Sequence, residues 1–372
     1  MRVGLDASPI VGDRGGVGWH LYHLLRGLLS LNEDFQLVCY LAPGSRAQVV
    51  REPWTQDPRL TWVEAGRMMM GWRGRKDRLD LFHGPNFKMR TEGRYGGVVT
   101  VHDVWLDRHP EYSPKLFGQQ AAFRRTRRIA WRARKVITVS EFSAREITAL
   151  YGLPPERIVT IHNGVSEDFR PLRDEEAMER LGHRLQLPAG GFVLFVGGAD
   201  PRKNHRTFLQ AAAQQRTKLG GRTLVLVGDA VHRFGSYHET ARALGIERQV
   251  LCTGRLSITD LRLLYTHADV FVFPSLYEGF GMPVLEAMAC GAPTITSTTS
   301  ALPEVAGDAA VLVDPDDAAA LGEAMVCVLN DTGLRESLKE KGFARARQFT
   351  WRAAATKTLV LYRELCGSVA NG

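Results

Sequence analysis

The sequence contains no uninterrupted apolar run near the ~20 residues that a membrane-spanning helix requires. Its five cysteines, Cys39, Cys252, Cys290, Cys327 and Cys366, form no C-x-x-C pair, which removes the common zinc and dithiol motifs. Each lies in or beside an apolar stretch, so buried, reduced thiols and a cytoplasmic location are expected. No His, Cys, Asp and Glu spacing suits a metal site, and neither metal nor cofactor is expected. The opening Met1–Asp6 reads as a strand rather than a leader. Acidic residues are the scarcer charged class, 40 against 48 Lys and Arg, giving a net charge of +8. An anionic partner follows, and nucleotide, nucleic acid and anionic lipid all remain open at this level.

What is present is a long alternation of short apolar strands with helical stretches, the pattern of doubly wound α/β layers. At 372 residues the chain exceeds one ordinary core, and two domains are expected. Strands are expected in the first half at Val3–Asp6, Gln36–Leu41, Leu60–Glu64, Leu79–His83, Gly97–His102, Lys135–Ser140 and Ile158–His162. Helices are expected over Gly18–Ser30 and Ser143–Tyr151, the latter opened by a Ser143/Glu146 capping box. A charged stretch with Pro and Gly but no strand signal, 168–190, reads as a linker between residues 1–167 and 191–352. Strands resume at Phe192–Gly197, Thr223–Gly228, Val250–Thr253, Val270–Pro274, Pro293–Thr296 and Ala310–Val313. A final helix is expected within 353–372. Open sheets of this kind bind ligands beyond the carboxyl ends of their strands, so the loops just after each strand carry the chemistry.

The strongest such loop runs from Phe271 to Gly291. An apolar strand ends at Pro274, Gly279 and Gly281 permit close backbone approach, and a helix begins near Pro283. Glu278 lies in the loop and Glu286 one turn inside the helix, two acceptors suited to two sets of hydroxyls. Each alone is equally a solvated loop residue or a first-turn carboxylate favoured by the helix dipole. The second loop, Gly197-Gly198-Ala199-Asp200-Pro201-Arg202-Lys203, joins a Gly-rich turn to two cations at a helix start, which suits a diphosphate. After the first strand, Gly12, Gly15, Gly16 and Gly18 depart from G-x-G-x-x-G, and a turn needing positive φ explains them as well as a phosphate does. His102 ends another strand and serves either structure or a site. Asp314-Pro315-Asp316 is formally D-x-D, but its position after a strand and before Ala-rich helix points to helix capping.

Glu278 and Glu286, seven residues apart around Gly279-Phe280-Gly281, resemble the E-x7-E motif of the family 4 retaining glycosyltransferases. The resemblance extends along the chain. It implies the GT-B fold: two Rossmann-like α/β domains facing across a cleft, with the C-terminal helix crossing back to the first domain. It further implies a nucleotide-sugar donor, with Glu278 on the transferred sugar and Gly279, Phe280 and Gly281 binding through backbone amides. Glu286 falls on the ribose, Arg202 and Lys203 on the diphosphate, and Gly198 in the same phosphate loop. The base is expected beside Gly254-Arg255-Leu256, with Leu256 among the contacts. Gly15 and Gly16 match the family's first loop, His102 a histidine near the donor sugar, and Asn163-Gly164 its hinge turn.

The first half is most similar to bacterial mannosyltransferases of polysaccharide assembly, which implies GDP-mannose as donor and a glycan or polyprenyl-linked glycan as acceptor. A UDP-sugar-dependent transferase and a nucleotide-sugar 2-epimerase of the same architecture are the enzyme alternatives. Nucleic-acid binding is the non-enzyme alternative and leaves the second-half loops unexplained, so no nucleic acid is expected. Two basic, aromatic-containing stretches, Arg67–Lys76 and Arg124–Lys135, suit either an anionic membrane surface or solvated protein surface.

Overall fold

The computed structural model describes residues 1–12, 14–50, 52–66, 76–112, 119–232 and 235–367, with the side chains of 119–122 left out. The chain forms two compact units, the first Met1–Gly164 together with the chain from Thr350 on, the second Val165–Phe349.

In the first unit seven strands form one parallel sheet: β1 (Arg2–Asp6), β2 (Gln36–Leu41), β3 (Leu60–Glu64), β4 (Leu81–Gly84), β5 (Gly97–Thr100), β6 (Lys135–Thr138) and β7 (Ile158–Thr160). Their order is β3-β2-β1-β4-β5-β6-β7, all pairs parallel. Helices on both faces explain why β1, β2, β4 and β5 read as continuous apolar runs rather than alternating ones. The order reverses between β1 and β4, and the residues just beyond those strands line the place where such sheets take ligands.

The helix Trp351–Gly367 closes this unit. It packs against the helix Gly16–Leu29 at Gly27, where a Cβ would meet the Trp351 carbonyl oxygen at 2.7 Å. Gly164 is equally constrained, since a Cβ there would lie 2.1 Å from the Trp351 nitrogen. Tyr362, Arg134 and Glu33 hold the rest of the helix through His83 (2.6 Å), the Leu365 carbonyl (2.9 Å) and Arg363 (2.7 Å).

The second unit has strands β8 (Phe192–Val196) and β9 (Thr223–Val227), then a short antiparallel pair, β10 (Val231–His232) with β11 (Gly235–Ser236). It continues with β12 (Val250–Gly254), β13 (Val270–Phe273), β14 (Thr294–Ser297) and β15 (Val311–Val313). Six of these form a parallel sheet ordered β12-β9-β8-β13-β14-β15, which reverses between β8 and β13. Phe195, Phe208, Leu224, Tyr237, Val270, Ile295, Leu321 and Met325 lie at its core, fully buried. Each such apolar side chain contributes roughly 1.5–3 kcal/mol of burial, which fixes the strand ends that carry polar loops.

Four expectations need correction. The stretch 168–190 holds the helix Glu175–Leu185, capped by Asp174 and tied to the second unit by Arg184–Asp260 (2.6 Å) and Leu172–Thr266 (3.0 Å). Ser143 is not a cap: the helix is Glu141–Tyr151 and Ser140 accepts the Ser143 N–H at 3.0 Å, while Glu146 pairs with Arg108. Asp314 closes a local turn onto the Asp316 N–H (3.0 Å), and the helix cap is Asp317. Among the thiols Cys39 and Cys290 are buried, Cys252 and Cys366 half-buried, and Cys327 exposed on the helix Ala318–Asn330, a position its apolar neighbours concealed.

Candidate active site

The strand β8 ends in Gly197 and Gly198, and Asp200 then caps a single turn, Pro201–Lys203, by accepting the Arg202 N–H at 2.9 Å. Asn204 adopts left-handed backbone (φ 58°) and donates to the carbonyls of Pro274 (3.1 Å) and Pro315 (2.7 Å), which locks the turn against the ends of β13 and β15. The helix His205–Gln214 follows. Both cations are therefore placed on a turn fixed at each end, beyond the carboxyl end of a central strand.

The neighbouring loop meets them. After β13, Ser275 and Leu276 both donate to the Arg202 carbonyl, the hydroxyl at 2.9 Å and the N–H at 2.9 Å. Glu278, 7% exposed, accepts from Lys203 Nζ at 2.5 Å and from Ser275 Oγ at 2.7 Å through one oxygen. Burial alone raises a carboxyl pKa, but Lys203, then Arg202, outweigh it and hold Glu278 below the usual range. The loop is secured beneath by Ser300, which accepts the Glu278 N–H at 3.1 Å, and by Ser297, which donates to the Ser275 carbonyl at 2.8 Å. Lys203 Nζ also stands 5.1 Å from the Phe273 ring centre. The pair lies at the switch between β8 and β13, where the sheet order places a ligand site.

Gly281 is the N-cap of the helix Met282–Cys290, at φ 109°, and a Cβ there would press on Leu302 at 2.7 Å. Glycine is required twice over, by conformation and by space. The Phe280 side chain is buried and packs edge-on against Phe349 at 5.8 Å. Glu286 lies on this helix and accepts from Tyr265 Oη at 3.3 Å. Burial pushes its carboxyl up to about 7, with Tyr265 and Lys203 opposing the rise. Leu256 is half-buried just after β12, beside the left-handed Gly254 (φ 70°).

The first unit gathers a different set. Gly15 caps the helix Gly16–Leu29 with φ −76°, and Gly16 begins it. A Cβ on either would meet nothing within 4 Å, so the positive-φ explanation of these two glycines is set aside; Gly12, at φ 74°, is the one that needs it. His102 donates from Nε2 to the Pro85 carbonyl at 2.9 Å and stands edge-on to His20 at 4.6 Å. Burial lowers its pKa, with Pro85 and Asp103 opposing, so it is neutral at pH 7. His20 and Asn163 are joined at 2.7 Å, and His83 spans Thr100 (2.7 Å) and Tyr362 (2.6 Å). Sequence reading missed His20, His83, Ser275 and Tyr265, whose partners are distant in the chain; only the apolar context of each histidine hinted at burial.

On the basic helix Gln119–Arg132, Arg124, Arg125 and Arg128 are exposed. Trp131, 44% exposed, donates to the Tyr151 carbonyl at 3.0 Å. Of the other basic stretch only Lys76 falls within the described residues. Among the described residues no helix is long and apolar enough to cross a membrane, and no group of three or more His, Cys, Asp or Glu gathers as metal ligands would.

Two doubly wound parallel sheets, the second with a buried cation–carboxylate pair at its switch point, define a protein of the GT-B class. Residues 14–169 match the family described as Glycosyltransferase Family 4, and residues 186–345 the family described as Glycosyl transferases group 1. The chain is 34% identical over 310 residues to O-antigen chain mannosyltransferase B of Escherichia coli, covering 82% of this chain and 80% of that one. Its fold is similar to that of sucrose-phosphate synthase from Thermosynechococcus elongatus, with a TM-score of 0.79, 20% identity and 99% and 100% of the two chains covered. It is also similar to Anabaena HepE in complex with UDP-glucose, with a TM-score of 0.73, 20% identity and coverages of 97% and 99%. The chain belongs to the family 4 glycosyltransferases.

Proposed function

We propose that this glycosyltransferase moves mannose from GDP-mannose, with retention and without a metal, to a glycan or lipid-linked glycan acceptor in cell-surface polysaccharide synthesis. The observation that carries the reading is the Lys203–Glu278 pair at the β8/β13 switch. The mannosyltransferase relative supports the sugar. Arg202 and Lys203 stabilise the charge that develops on the departing diphosphate. The amides of Gly198, Gly279, Phe280 and Gly281 receive phosphate and sugar oxygens at turns and at a helix start. Glu278, ionised and held by Ser275, orients sugar hydroxyls; Glu286 takes the ribose, and Leu256 the base through its backbone. The proposal gives His102, Gly15 and Gly16 of the first unit roles toward the donor's sugar and phosphates.

The acceptor oxygen bonds to the anomeric carbon on the face from which the diphosphate leaves. The carbon–phosphate-oxygen bond breaks, and the departing phosphate oxygen takes the acceptor proton. No side chain is assigned as a nucleophile. The exposed Arg124, Arg125, Arg128 and Trp131 support a second element, docking of the first unit on the anionic inner face of the plasma membrane. Co-flotation with anionic vesicles at low salt tests this element, and its absence would sink it.

Thermal stability with GDP, UDP, ADP and their sugars tests the donor, because a ligand that binds only the folded chain raises its melting temperature. Stabilisation by GDP and GDP-mannose, lost in an Arg202→Ala/Lys203→Ala double variant, is expected. The HepE complex makes a UDP-sugar the competing outcome, and a shift with UDP alone would replace the donor assigned here.

A further inference from the structure

Within the second unit the loop 278–281 is gripped from two sides. On one side stands the short helix Leu302–Ala306 with the residues that lead into it. Leu302 fills the space against Gly281, Ser300 accepts the Glu278 N–H, and the Ala301 N–H donates to the Glu278 carbonyl at 3.4 Å. On the other side stands Phe349, whose ring backs Phe280. Both rings are buried, and a close-packed interior passes a shift of either support on to the loop backbone.

One side chain joins the two supports. Arg345, half-buried on the last turn of the helix Thr332–Ala346, lays its guanidinium on Phe349, 4.8 Å from the ring centre. Its Nε donates to the Val305 carbonyl at 2.9 Å, its Nη2 to the Glu304 carbonyl, and its Nη1 to Gln348 Oε1 at 2.6 Å. Both carbonyls belong to the last turn of the short helix, which ends before a backbone N–H can reach them. Gly307, at φ 57°, makes the room: a Cβ there would lie 3.3 Å from Arg345 Nε. A lysine could lie on the ring or reach one carbonyl, whereas the planar fork does both at once.

We propose that Arg345 is a positioning residue for sugar transfer. It ties the helix Leu302–Ala306 to Phe349 and so fixes where Glu278 and the amides of Gly279, Phe280 and Gly281 meet the donor. It acts through these two supports and not by touching the substrate. This role rests on the reading of the loop 278–281 as the element that binds the donor's sugar and phosphates.

Amide hydrogen exchange of the full chain, wild type against Arg345→Met, tests the clamp without a ligand. The substitution keeps an apolar stem beside Phe349 and removes every donor. Peptides covering 278–282 are expected to exchange about tenfold faster, the scale of one hydrogen bond to a charged group, with β9 and the helix His205–Gln214 at wild-type rates. Arg345→Lys should fall between the two, and it carries the comparison alone if Arg345→Met does not fold. Faster exchange throughout the second unit, or at the short helix with the loop unchanged, overturns the proposal.

Calorimetric titration reads the consequence for binding. GDP-mannose is expected to bind Arg345→Met about tenfold more weakly than wild type, because a loosened loop must be ordered as the ligand arrives. Pyrophosphate, held chiefly by Arg202 and Lys203, should change far less. Unchanged GDP-mannose binding, or an equal loss of both ligands, overturns the positioning role. A wild type that binds UDP-glucose in place of GDP-mannose overturns the donor reading alone, and UDP-glucose then serves in the same comparison. A wild type that binds neither nucleotide-sugar overturns the loop reading and this role with it.

Discussion

The two units share one architecture and each closes a switch strand with a cation–carboxylate pair, but the polar groups around that pair differ. In the second, a lysine and a carboxylate are brought 2.5 Å apart in a nearly buried loop, with Arg202 adjacent. In the first, a nearly buried Arg90–Asp6 pair (2.6 Å) closes the end of β1, and the same unit holds three imidazoles, His20, His83 and His102, each driven toward the neutral form by burial. One fold thus carries a second cation, Arg202, beside the pair of one unit and a set of neutral imidazoles in the other. The difference arises from single side chains, His83 on a strand, His20 on a helix and the rest on loops, so it is open to single substitutions.

The largest effect is expected from Lys203→Ala. It leaves Glu278 ionised and buried without its counter-ion, a loss of about 3 kcal/mol of stability. It also removes a cation from the proposed diphosphate site, which lowers turnover by a factor on the order of 10²–10³. Adding Glu278→Gln to Lys203→Ala restores neutrality, so denaturant unfolding of the single and double variants separates charge from packing. If Lys203→Ala unfolds at the wild-type midpoint, the pair carries no buried charge.

Next is Gly164→Ala, whose new methyl has no room beside Trp351. Overpacking of this kind costs about 1–3 kcal/mol. A first-unit probe such as the Trp351 environment should register the loss before any second-unit probe does. Removing the Ser140 cap with Ser140→Ala is expected to cost about 1 kcal/mol of stability, again confined to the first unit.

The smallest effect sharpens the comparison through pH. His83 has a folded pKa near 3 against 6.5 unfolded, so the unfolded chain binds the proton more tightly. Its contribution is complete above about pH 6.5 and is lost as the pH falls toward 3. Glu286 has a folded pKa near 7 against 4.5 unfolded, so its contribution is complete below 4.5 and is lost as the pH rises through 7. Between pH 5 and 7 the units therefore respond in opposite directions. Melting curves of His83→Gln and Glu286→Gln across this window should each flatten one slope, and parallel curves for both would refute the contrast.

Much of the second-unit loop chemistry was legible because it is local. Glu278, Gly281, Pro283 and Glu286 lie within nine residues, and a strand–loop–helix pattern places them without tertiary information. Ser275 lies in the same loop, but its part depends on the Arg202 carbonyl, 73 residues away. The Lys203–Glu278 contact spans 75 residues and His20–Asn163 spans 143, and no periodicity reports such meetings. The helix Glu175–Leu185 was hidden for another reason. It buries little beyond Leu181 and is otherwise charged, so its composition resembles that of a linker. At Ser140 and Ser143 two cap-like residues stand three apart, and local rules fitted either.

The return of the chain to the first unit at Thr350 also sets an order of assembly. The helix Gly16–Leu29 leaves the ribosome early, yet the partner that fills the space around Gly27 and stacks on His23 is Trp351 and the helix it begins. Between them the whole of Val165–Phe349 is synthesised, an interval on the order of ten seconds or more at bacterial elongation rates. The second unit contains all of its own strands and can condense during that interval. The first is held incomplete until the helix Trp351–Gly367 emerges, so the proposed donor loops exist before the first unit has closed.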